Sequence, residues 1–218
     1  MPFNFFRQPQ DRPTITVPER RADLPIQPPD KLARLLSLRA PQNYDRVGRR
    51  DYERLAETWQ ADPALIEAVA IVESADAGFD QNRRLVLRFE SHVFARQSGR
   101  QSPAPSGGWQ SFEKAAQVDF NAALLATSWG KFQIMGFNAQ KVGYQTAEAM
   151  IFNFYSGERP HLAAFQKYCE VFGLVEAFRA KNIAEFTRGY NGPGAVRQYS
   201  ARIEQQWRRI IADRGASA

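Results

Sequence analysis

One cysteine, two histidines and no unbroken apolar run of about 18 residues, the length at which a membrane span becomes readable, set the first limits on this chain. With Cys169 alone, an intrachain disulfide and a cysteine-based zinc site are excluded, and a buried, inert thiol is the expected role. His92 and His161 are too few for a histidine-rich metal site, and each reads as a surface or hydrogen-bonding histidine. No metal and no cofactor are expected. The opening MPFNFFRQPQDRP is interrupted at Arg7 and Pro9, so it lacks the apolar stretch of a signal peptide, and synthesis in the cytoplasm is the expectation. Nucleic-acid signatures are also missing: there is no Cys/His zinc pattern or aromatic RNA-binding motif, and the basic residues are too dispersed to favour nucleic acid as a partner.

What is present fits one good core with an extension: 218 residues, 44% of them hydrophobic. The formal charge of +6 biases the surface toward polyanions, whether nucleic acid, an anionic membrane or the acidic polymers of a bacterial envelope, and charge alone does not choose among them. Prolines crowd the first 41 residues, at Pro2, Pro9, Pro13, Pro18, Pro25, Pro28, Pro29 and Pro41, which favours extended backbone there. The expected organisation is a proline-rich arm over 1–50 and a folded domain over 51–218. Within the arm, DKLARLLSLR has an Asp cap and helically spaced leucines, so a short helix is expected at 30–39. The arm is either a linker or a docking segment.

From Asp51 the pattern becomes one of closely spaced helices. Tyr52, Leu55 and Trp59 mark one; Asp62-Pro63 then caps and starts ALIEAVAIVES. LVLRFE, residues 85–90, is the one convincing strand, and the proline- and glycine-containing stretch 97–110 reads as a mobile surface loop. Helical spacing resumes over 111–126, 145–157, 159–172 and 182–190. It ends in an amphipathic stripe of Val196, Tyr199, Ile203, Trp207, Ile210 and Ile211. The fold class expected is mainly α, a helical bundle with a small β element. The arginines beside the last stripe, Arg197, Arg202, Arg208 and Arg209, are expected to be solvated, with disturbance of an anionic membrane as the other use of that helix.

Two carboxylates stand out. Ile66, Val69 and Glu73 fall on one helical face, which carries Glu73 toward the core; a carboxyl held in partly apolar surroundings stays protonated near neutral pH and can donate a proton. The plainer reading is a frayed helix end with its glutamate in water. Strand alternation puts Glu90 with Arg88 opposite Leu87 and Phe89, so it either faces a cleft as a second acid or pairs with Arg88 and the next helix dipole. Asp76 and Asp80 are weaker candidates. SWGKFQIMGFN offers Gln133 for hydrogen bonding and aromatics for stacking, and YNGPG offers Tyr190 and a glycine turn. Each also reads as ordinary core or turn.

In this order, an E-S at a helix end, a G-x-x-Q segment and a Y-N-G turn, the chain resembles the lysozyme superfamily with its goose-type and lytic transglycosylase branches. More closely, VES…GF, LRFESHVF, ATSWGKFQIMGFNAQKVGY and FTRGYNGPGAVRQY resemble the N-acetylmuramidases of phage endolysins, over residues 51 to 212. The resemblance implies a lysozyme-like fold built around a catalytic helix, with a small β-hairpin bordering the cleft. The reaction it implies is hydrolysis of the β-1,4 bond between N-acetylmuramic acid and N-acetylglucosamine in peptidoglycan. By position it assigns catalysis to Glu73 and Glu90, and substrate binding or acid positioning to Ser74, Trp129, Gln133, Tyr190 and Asn191. Two departures from the family pattern are Ser91 after F-E, where a basic residue is usual, and Lys131 after S-W-G, where leucine is usual. It also implies a protein that acts in the periplasm. The proline-rich arm lies outside the resemblance and leaves the setting open: a free endolysin needs no such extension, whereas an enzyme mounted on a virion could use it to hold a phage tail protein. Two rivals are a lytic transglycosylase, which needs a single acid, and a virion structural protein that binds glycan without cleaving it.

Overall fold

The computed structural model describes residues 29–216; the proline-rich stretch before Pro29 lies outside the described residues. The chain enters through α1 (Pro29–Ser37), α2 (Arg49–Trp59) and α3 (Pro63–Ser74). Helix α3 starts where Asp62 and Pro63 predict: the Asp62 carboxylate accepts the Ala64 N–H at 2.9 Å, and the proline, which has no N–H to leave unpaired, takes the first helical position. Almost all of α3 is apolar, and Leu65, Ile66, Ala68, Val69 and Ala70 are fully buried, so it runs through the middle of the domain. The helix ends in two consecutive left-handed residues, Ala75 (φ 54°) and Asp76 (φ 58°).

The β element is larger than the expected hairpin. Strand β1 (Leu87–Phe89) pairs antiparallel with β2 (Thr127–Trp129), and β2 pairs with β3 (Ile134–Met135), giving a three-stranded sheet of order β1-β2-β3. Only β2 and β3 form a hairpin; Leu87 opposite Trp129 and Phe89 opposite Thr127 set the longer-range register. The predicted strand 85–90 is trimmed to three residues, with Leu85 joined to Phe79 by an isolated bridge, but its faces are as expected: Leu85 and Phe89 are buried, Arg88 exposed. Between β1 and β2 come α4 (Ser91–Ser98), α5 (Trp109–Val118) and α6 (Phe120–Leu125). The single helix expected over 111–126 is thus two, because Asp119 turns extended and caps α6 by accepting the Ala122 N–H at 2.9 Å. The loop before α5 is anchored, since Gly107 exchanges both backbone hydrogen bonds with Phe89.

Helices α7 (Ala147–Phe154), α8 (Arg159–Val171), α9 (Val175–Arg179), α10 (Ile183–Tyr190) and α11 (Val196–Gly215) complete the domain. Periodicity gave no sign of α9, which is only five residues long. Trp59, Phe165, Phe178 and Phe186 form the aromatic centre between α2, α8, α9 and α10. The stripe of α11 packs on α3, burying Ile203 and Ile210 and leaving Ile211 at the surface. No helix among the described residues is long and apolar enough to cross a membrane.

No break in packing occurs at residue 50. Leu35, Ala40 and Val47 belong to the same buried cluster as α3, and Ala40 exchanges hydrogen bonds with Arg83. The described part of the expected arm is therefore built into the domain.

Candidate active site

The C-terminal end of α3, the sheet, and the junction of α10 with α11 enclose a cavity of about 590 Å³. Glu73 enters from α3, Glu90 from the end of β1, Ser128 and Gln133 from the β2–β3 hairpin, and Tyr190 and Asn191 from the end of α10. A second cavity of about 490 Å³ continues past Glu90, Tyr190 and Asn191 to His92, Arg96 and the exposed ring of Phe137. The two cavities share Glu90, Met135, Asn138, Tyr168, Tyr190 and Asn191 in their walls.

Glu73 is partly buried, and one of its oxygens accepts from Asn191 Nδ2 at 2.9 Å. Loss of water disfavours its ionised form and pushes its pKa up from 4.5 to about 7, against the opposing pull of the Asn191 hydrogen bond and the Arg202 charge. The helix face read from Ile66 and Val69 therefore does carry this carboxyl inward, where burial favours its protonated form. Arg202 is exposed, as expected, and it also lines the cavity and donates to the Val72 carbonyl at 3.3 Å. Among the described residues no cluster of His, Cys, Asp and Glu is arranged to hold a metal ion.

Glu90 sits at the other side of the cavity. Its Oε1 accepts from Arg88 Nε at 2.7 Å and its Oε2 from Ser106 Oγ at 3.0 Å, which fixes the carboxylate's orientation. Pairing with Arg88 and facing the cleft, the two readings left open for Glu90, are thus both true of it. Gln133, at φ 50°, is locked by its amide: Nε2 donates to the Gly130 and Val86 carbonyls and Oε1 accepts from Ser128 Oγ.

The other expected site residues divide. Tyr190 lines the cavity, but its hydroxyl donates to the Phe132 carbonyl, and the group bonded to Glu73 is its neighbour Asn191. Ser74 is not among the residues lining this cavity; it donates to the Lys131 carbonyl at 2.7 Å, a contact that joins two walls. Trp129 is fully buried, packed edge-on against Trp109 and Phe112 with its indole N–H on the Leu124 carbonyl. It cannot stack on a sugar, because strand alternation in β2 turns Ser128 to the cleft and Trp129 to the core. Asn138, Tyr168, Tyr199 and Arg202 line the cavity without having been singled out as site residues. Only Arg88, beside Glu90 in strand alternation, gave a sequence signal of its place there.

A model of the N-acetylmuramidase family matches residues 62–107 and 101–211, a span that contains every residue lining this cavity. The chain belongs to the N-acetylmuramidase family. It is a glycoside hydrolase whose substrate is peptidoglycan. Among solved structures, the muramidase is similar to a Burkholderia AP3 phage endolysin, with a TM-score of 0.66 and 30% identity over 82% of this chain and 74% of that one. No curated protein matches it. The muramidase fold, mainly helical with a small antiparallel sheet at the cleft, agrees with the architecture expected from the sequence.

Proposed function

We propose that Glu73 is the general acid of this muramidase and Glu90 its second carboxylate, acting on the bond between C1 of N-acetylmuramic acid and O4 of N-acetylglucosamine. Glu73 gives its proton to the glycosidic oxygen as the C1–O bond breaks. A water oxygen bonds to C1 in its place, and the water's second proton leaves to solvent or a carboxylate, from which Glu73 is reprotonated. Glu90 orients that water or stabilises positive charge developing on the muramoyl ring. Gln133, Ser128 and Asn191 contact the sugar through amide and hydroxyl groups, and Asn191 also holds the Glu73 carboxyl in place. The observation that carries this reading is the raised, partly buried Glu73 carboxyl in one cavity with a second, fixed carboxylate.

Glu73→Gln keeps the shape and removes the proton, so it is expected to abolish clearing of outer-membrane-permeabilised cells while still folding and melting cooperatively; an active variant would refute the assignment. Mass spectrometry of the wild-type digest is expected to give reducing muramic ends. Anhydro-muramic ends would instead indicate a transglycosylase. The likeness to a phage endolysin supports the same biological role, cleavage in the periplasm by an enzyme that is either free or held on a virion.

A further inference from the structure

Lys131 is the residue of the SWGKFQIMGF string that the reaction leaves unused, and it departs from the leucine usual in the resembling family. Its side chain is 1% exposed, which an unpaired ammonium would not tolerate. The charge is met by Glu158 Oε2 at 3.0 Å, Asp76 Oδ1 at 2.8 Å and the Asp76 carbonyl. Glu158, itself buried, also accepts the N–H groups of Val47 at 2.9 Å and Gly78 at 2.8 Å, and Asp76 Oδ1 takes the Tyr52 hydroxyl. The Lys131 backbone is equally committed: its N–H donates to Nδ1 of the neutral, buried His161 at 3.1 Å, and its carbonyl accepts from Ser74 Oγ.

These bonds converge on the two residues after Ser74. Ala75 and Asp76 are both left-handed, a conformation that side-chain-bearing residues hold only where their surroundings over-determine it. Lys131 and Tyr52 provide that grip. On its other side Lys131 belongs to the turn from Gly130 to Gln133, whose glutamine amide faces the cleft; at Gly130 (φ 74°) a Cβ would lie 2.8 Å from His161, so this turn has little room to shift. The ammonium is thus the strut between the end of the acid-bearing helix and the wall that carries Gln133 and Ser128.

We propose that Lys131 is a positioning residue of the muramidase reaction, setting the gap between the Glu73 carboxyl and the opposite, sugar-contacting wall through Asp76 and Ser74. The inference rests on Glu73 being the acid. That premise fails if Glu73→Gln is active, whereas this proposal fails with Glu73→Gln inactive and the strut variants unimpaired.

The test is steady-state kinetics on soluble, uncrosslinked peptidoglycan strands at a temperature well below every variant's melting transition. Lys131→Met alone strands the buried Glu158 carboxylate, so it is paired with Glu158→Gln. Ser74→Ala cuts the strut's backbone contact without leaving a charge, and Ser74→Thr keeps the hydroxyl. Expected is a fall in kcat on the order of 10- to 100-fold in Lys131→Met/Glu158→Gln and a smaller fall in Ser74→Ala, with KM within about twofold and kcat restored in Ser74→Thr. Wild-type kcat in Ser74→Ala and in the folded double variant, however far their melting temperatures drop, would overturn the proposal. If the double variant does not fold, wild-type kcat in Ser74→Ala overturns it by itself.

Discussion

A carboxyl whose pKa is raised by folding destabilises the fold whenever it is forced to ionise. For Glu73 the folded value of about 7 lies above the ordinary 4.5, so its contribution to stability is fully present below about 4.5 and is lost as pH rises through 7. The shift corresponds to a loss on the order of 3 kcal/mol. Glu73→Gln, neutral at every pH, is therefore expected to be more stable than the wild type at pH 8 and to lose most of that advantage at pH 4; urea denaturation at both pH values measures it, and an equal difference at both would contradict it. Asn191 opposes the shift by donating to the ionised form. Asn191→Ala is expected to move the alkaline limb of kcat/KM upward and to lower kcat, and an unmoved limb would show that the bond does not tune the acid. Glu73 was legible in sequence because the helical period ties its direction to Ile66 and Val69. Lys131 was not, since a lysine reads as surface and its partners Asp76 and Glu158 are distant in sequence. Trp129 misled for a related reason: aromatics beside a glycine suit a sugar cleft and a core equally, and only the register of β2 against β1 decides between them.

Helix α3 owes its placement to both ends. At the start, Asp62 caps the helix through Oδ1 while its Oδ2 accepts the Trp207 indole N–H of α11 at 3.0 Å, so one side chain both begins the helix that carries Glu73 and docks the last one. Asp62→Ala is expected to cost about 1 to 2 kcal/mol, the range for a helix N-cap, and some more for the orphaned indole. The urea midpoint should fall with the slope unchanged. A midpoint equal to wild type would mean that neither bond contributes. Capped and amphipathic helices such as α3 and α11 were readable because their signals lie within a few residues of each other. The three-stranded sheet was not: its strands are two or three residues long, and three helices separate β1 from β2 in the sequence.

Across the whole molecule, the described residues before Asp51 behave as part of the muramidase domain. The composition shift at that point reflects proline content, not an end of packing, and proline content says nothing of what Leu35, Ala40 and Val47 touch. A chain beginning at Pro29 keeps these contacts and is expected to retain cleavage. One beginning at Gly48 loses them along with a donor to Glu158, and is expected to be destabilised by at least about 3 kcal/mol, from the buried Leu and Val side chains alone. Equal melting temperatures for the two truncations would contradict this account of the domain's extent. On the proposed reading, the architecture serves one outcome, a carboxylic acid kept protonated in the cleft. The most direct measurement of it is the ¹³C NMR titration of the Glu73 side-chain carboxyl, assigned by its absence in Glu73→Gln and compared with the alkaline limb of kcat/KM. A midpoint near 7 that coincides with that limb is the expected result; a midpoint near the ordinary 4.5 would contradict the account.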